Sequence, residues 1–170
     1  MADVMWATPD GRRRLVAPTE EVARFVFSVY RFDEVVVTPL SAVVDGRSLV
    51  VSAPELELEL TARAGRGWAV PLPGAPWLTR HVAGPVARRL MGVRTYGVTN
   101  TGVREWYRAR WYRPLNEARA VLRGSDLGRF GPVEPPGGFG FSEPPRRPSM
   151  VWVRPLLHDG KGEIARALGG

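Results

Sequence analysis

Two Asp-Gly dipeptides, Asp10-Gly11 and Asp45-Gly46, each stand between short apolar runs. Asp-Gly readily adopts the positive φ angles that a tight two-strand turn needs, so "VMWATPDGRRRLVAP" and "PLSAVVDGRSLVVSA" both read as β-hairpins. "PELELELTAR" then alternates Leu56, Leu58 and Leu60 with Glu55, Glu57 and Glu59, the pattern of a strand with one face buried and one in water. No strand-helix unit repeats along the chain. Together these features predict an α+β fold: a curved antiparallel β-sheet of at least six strands, or a closed β-barrel, with about two helices in a single domain. One helix is predicted from Thr19, a capping residue, to Tyr30, with Glu20 and Glu21 in its first turn and Val22, Phe25, Val26 and Val29 on one face. A second, kinked at Pro85 and carrying His81 as a packed or half-exposed residue, is expected between Pro76 and Met91.

The chain of 170 residues is long enough to bury one core without cross-links. Residues 1–157 read as that domain, 131–149 as a Pro/Gly-rich crossover or lid with six prolines, and 158–170 as a C-terminal tail. Cysteine is absent, which excludes disulfides, thiolate nucleophiles and zinc-thiolate sites. His81 and His158 are the only histidines, too few for a multi-histidine metal site, and "GRGWAVPLPG" has neither GxGxxG nor a Walker lysine. No metal or cofactor is expected. "MADVMWATPDGRRR" lacks an apolar h-region and no segment approaches roughly 18 uninterrupted apolar residues, so a cytoplasmic protein without a membrane partner is expected.

Basic residues are almost all arginine, Lys161 being the single lysine. Their placement is uneven: net charge is −3 over residues 1–57, +9 over 58–124 and +1 over 125–170. Any attraction for anions therefore belongs to the middle of the chain. That region contains "TYGVTNTGVREWYRARWYRP", with two "WYR" triplets. As a helix it would stripe Tyr107, Trp111, Leu115, Ala118 and Leu122 along one side, but Pro114 interrupts it and "TNTG" is a turn. A hairpin is preferred: a strand from Val93 to Val98, a loop Thr99–Gly102, a strand from Val103 to about Arg108, and "RWYRPLN" as the next connection. Val98 would then face Val103, placing Tyr96 opposite Glu105 and Arg94 opposite Tyr107 on one face. A guanidinium, a carboxyl and two phenols on a cavity wall suit acid-base work, so Arg94, Tyr96, Glu105 and Tyr107 are the candidate catalytic residues. On an outer face the same four would be an ordinary ion pair with flanking tyrosines.

"MGVRTYGV" and "REWY", with the later "PVEPPGGFGFSEPPRRPSMVWVRP", resemble uncharacterised actinobacterial proteins and, more distantly, acetoacetate decarboxylase-like barrel proteins, over roughly a third of the chain. The resemblance implies an antiparallel barrel around a small-molecule cavity. Those decarboxylases act through a Schiff-base lysine. Here Lys161 lies in the tail, so the covalent chemistry has no core residue to carry it. Three readings stay open. The first is a small-molecule-binding domain, as a ligand binder or a lysine-independent lyase, isomerase or cyclase. The second is a basic nucleic-acid binder using Trp106, Tyr107, Trp111 and Tyr112 as stacking platforms, whose binding would be weak and salt-dependent. The third is a non-enzymatic interaction protein that docks through its proline-rich segment.

Overall fold

The computed structural model describes residues 2–70, 95–99, 102–140 and 144–169. The expected second helix with His81 lies outside these residues, as does Arg94. The first hairpin pairs β1 (Val4–Ala7) with β2 (Arg13–Ala17), and Gly11 in its turn has φ +83°. Thr19 Oγ1 then accepts the Val22 N–H at 3.3 Å and opens α1 (Glu20–Val29). Glu20 and Glu21 sit in its first turn, where the helix dipole favours negative charge. The chain continues into β3 (Glu34–Val37), which pairs parallel to β2. A helical crossover returns a strand in the same direction, so among the described residues this β-α-β unit is the exception to antiparallel pairing. Ala23 and Val26 of α1 form a buried cluster with Leu15 and Ala17 of β2 and with Phe32. Burial of a Val- or Leu-sized side chain stabilises by roughly 1.5–3 kcal/mol.

Among the described residues the second sheet has eight strands. β4 (Ser41–Asp45) and β5 (Ser48–Ala53) form the second Asp-Gly hairpin, with Gly46 at φ +59°. The leucine-glutamate run does not form one strand. Pro54–Leu56 make a 3-10 turn, Glu57 takes a left-handed φ of 48°, and β6 (Leu58–Ala64) begins only afterwards. Local chemistry explains the correction: proline starts the turn, and the Glu55 carboxylate accepts the Thr38 hydroxyl at 2.6 Å instead of standing on a solvated strand face. Short strands β7 (Trp68–Ala69) and β8 (Tyr96–Val98) precede β9, which runs unbroken from Arg104 to Leu122.

β9 overturns the expected break at "RWYRPLN". Its C-terminal half pairs with β6 and with β10 (Ser125–Asp126), and its N-terminal half with β7, β8 and β11 (Ser149–His158). The register passes over Arg110 opposite Trp152/Val153 and over Asn116 opposite Arg63/Ala64. These bulges flank Pro114 and bend the strand where it exchanges partners. Pro114 has no N–H to donate, but its carbonyl accepts the Gly65 N–H at 2.8 Å. Among the described residues neither sheet closes on itself. From β10 to β11 the chain crosses back irregularly. The Phe139 carbonyl accepts the Arg31 N–H at 2.8 Å, its ring lies 5.7 Å from Phe32, and Arg13 Nη1 reaches the Gly138 carbonyl at 3.3 Å. The C-terminal segment ends in α2 (Glu163–Ala167), which packs on α1, and Asp159 accepts the Glu163 and Ile164 N–H groups at 2.8 and 2.7 Å.

Gly67, just before β7, lies so close to β9 that a Cβ there would enter the van der Waals shell of the Tyr112 carbonyl oxygen and the Arg113 side chain. Because the first neighbour is backbone, Gly67→Ala is expected to destabilise by about 1–3 kcal/mol. Gly131, with no neighbour nearer than 4.0 Å to such a Cβ, is the control. Thermal denaturation should lower Tm for Gly67→Ala by several degrees and leave Gly131→Ala near wild type; equal Tm values would remove the proposed close approach.

Candidate functional site

Glu105 and Tyr107 are two residues apart on β9, so both point to the same side of the sheet. Gly97 of β8 stands directly opposite Glu105 and brings no side chain. The partner comes instead from the other layer: Tyr30, the residue that closes α1, donates its hydroxyl to Glu105 Oε1 at 2.9 Å. The Tyr30 and Tyr107 hydroxyls are 2.7 Å apart. When Glu105 is ionised, Tyr30 gives its one proton to the carboxylate, and Tyr107 is then the donor in the second bond. The result is a relay from Tyr107 through Tyr30 to Glu105. The crossover covers it, for a Cβ on Gly140 would come within 3.0 Å of the Tyr30 ring.

Glu105 is 1% exposed, and its Oε2 has no hydrogen-bond partner among the described residues. Removal from water raises its pKa above the ordinary 4.5, while hydrogen bonding from Tyr30 opposes the rise by favouring the charged form. Burial also raises both phenols, with the neighbouring carboxylate adding to the effect. Both tyrosines thus stay protonated at physiological pH and serve as donors. The carboxyl is the group in the cluster that can change charge.

The expected quartet is only partly assembled. Glu105 and Tyr107 share a face, Arg94 lies outside the described residues, and Tyr96 is on the opposite face. Its partner across the strands is Trp106, with ring centroids 5.1 Å apart. The cause is the loop. Thr99 N–H donates to the Val103 carbonyl at 2.8 Å, Thr99 Oγ1 accepts the Val103 N–H at 3.1 Å, and Gly102 has φ +90°. Thr99, not Val98, therefore faces Val103. A shift of one residue turns every side chain of a strand to the other side. Tyr30 was not legible as a site residue, because it lies 75 positions before Glu105 and ends an ordinary amphipathic helix. No signal in the chain pointed to it, because the pairing of Gly97 with Glu105 and the burial of that glutamate both arise only in the assembled sheet.

A carboxyl whose pKa is raised on folding costs stability as pH climbs above 4.5, and the cost levels off once the folded form has also ionised. Asp33 acts in the reverse sense: the Arg13 guanidinium, donating from Nε and Nη2, holds its pKa at about 2, so its contribution is lost only as pH falls below 3.8. The Tm difference between wild type and Glu105→Gln isolates the first effect. It should shift in favour of the glutamine variant between about pH 4 and pH 8. Parallel curves would mean that Glu105 titrates normally.

Comparison with protein-family models, with curated proteins and with solved structures finds no match to this chain.

Proposed function

We propose that the protein binds a small organic molecule at the Tyr30, Glu105 and Tyr107 cluster, and that Glu105 exchanges a proton with it. One observation carries this reading: a fully buried carboxylate whose Oε1 is held by a phenol while Oε2 has no partner among the described residues. A buried acceptor left without a hydrogen bond costs about 1–3 kcal/mol, more when charged, so such an oxygen calls for a donor. The fitting ligand is a largely apolar molecule with one hydroxyl, amide or C–H acid placed at Oε2. The relay steadies the charge that remains after the carboxylate gives its proton back. Raised carboxyl pKa values suit a general base or acid near neutrality. The reaction class served is proton abstraction followed by isomerisation, elimination or cyclisation, without a covalent lysine, since Lys161 lies in the C-terminal segment.

The test is a ligand-observed NMR screen of small hydroxylated, amide-bearing and carbonyl compounds against wild type and Glu105→Gln, with circular dichroism as the fold control. Binders should lose at least about tenfold in affinity in the variant, and any turnover should fall roughly 100- to 10,000-fold. Tyr30→Phe should retain binding but move the pH optimum, because the carboxylate loses its nearest donor. If wild type and Glu105→Gln bind the same compounds equally, or neither binds any, the cluster is a structural link between the layers and the proposal fails.

A further inference from the structure

The sheet side opposite Glu105 carries a different pattern, independent of the buried cluster. Across β9 and β11, Trp111 stands opposite Trp152 and the next rung pairs Arg108 with Arg154. Trp106 follows opposite Leu156, with Tyr96 of β8 on its other flank, and then Arg104 opposite His158. Directly opposed residues share a face, so aromatic and cationic rungs alternate along one surface. The three strand segments place no aspartate or glutamate there, because Glu105 points the other way.

Much of this surface meets solvent, with Tyr96, Trp106 and Arg108 half-buried. Trp152 is 71% exposed and Trp111 47%, and Arg104, Arg154 and His158 are exposed. The Arg113 guanidinium lies 6.0 Å from the Trp111 ring centre, so cation and ring already share the surface. Indoles standing in water lose the apolar burial that normally places tryptophan, and such rings are usually contact sites.

We propose that this face binds single-stranded nucleic acid. The rung of Trp111 and Trp152 is four residues of β11, about 13 Å, from the rung of Trp106 and Tyr96. Bases stack on the two aromatic rungs, and the phosphates between them meet Arg108 and Arg154. An open strand suits the site because its bases have free π-faces, whereas those of a duplex are already stacked. Stacking and phosphate attraction ignore both base identity and the 2′-hydroxyl, so binding is tolerant of sequence and indifferent to the sugar.

Fluorescence anisotropy with labelled oligo(dT), oligo(U) and a duplex of equal length tests the proposal at low and at physiological salt. The two single strands should bind alike and the duplex at least tenfold more weakly. Trp152→Ala should weaken single-strand binding roughly 5- to 150-fold. Arg154→Gln should reduce the slope of log affinity against log salt by about 0.7. Both residues are exposed, so neither change threatens folding. Trp68→Ala removes a 53%-exposed tryptophan registered with Tyr112, on the Glu105 side, and should change nothing. No binding by wild type, unchanged affinity in Trp152→Ala, an equal loss in Trp68→Ala, or duplex and heparin bound as tightly as single strands would each overturn it.

Discussion

An extended segment of nineteen residues must find hydrogen-bond partners along its whole length, and the rest of the fold is arranged to supply them to β9. Among the described residues no single neighbour spans it. β6 and β10 serve the stretch after Pro114, and β11 with the short strands β7 and β8 serves the stretch before. The bulges at Arg110 and Asn116 let the strand turn between these two sets of partners. Close approach at the exchange point requires small residues. Gly65 lies against Asn116 and Gly67 against the Tyr112 carbonyl.

β9 also separates two chemistries. Period-2 alternation sends Glu105, Tyr107 and Tyr112 to one side and Trp106, Arg108 and Trp111 to the other, the bulge at Arg110 having reset the parity between the two triplets. Without that bulge, Tyr107 and Trp111 would share a face, and so would Trp106 and Tyr112. The inner side is closed by Tyr30 at the end of α1 and by the crossover that Phe139 and the Arg13 guanidinium hold down. The paired carboxylate Asp33, bound by Arg13 through both Nε and Nη2, ties β2 to the segment after Phe32. Tyr30 is thereby placed where its hydroxyl meets Glu105. Burial then does to Glu105 what no neighbour in sequence could: it raises the pKa and leaves one oxygen unsatisfied among the described residues.

Some of this was legible in the chain. The two Asp-Gly hairpins and the helix capped by Thr19 are local, set by φ preferences and by hydrogen bonds that reach three residues, and they form where expected. A dominant antiparallel sheet followed from the same signals. Local rules failed where two of them competed. Pro114 read as a break because proline cannot donate to a ladder, yet a strand whose bulges bracket it tolerates the proline. The "LELEL" alternation lost its first half to the turn begun by Pro54.

The candidate site shows the same division more sharply. Sequence spacing alone put Glu105 and Tyr107 on one face, since residues two apart on a strand must share it. It could not place Tyr96, because facing across a hairpin depends on loop closure, and one extra pair between Thr99 and Val103 inverts the result. Nor could it supply Tyr30, whose contact with Glu105 bridges 75 residues. The chain by itself determined residue chemistry, strand parity and turn position, all of which act over a few bonds. Tertiary structure alone decided which face of β9 was buried and which layer met it, because burial and long-range register are properties of the assembled sheet and not of any segment within it.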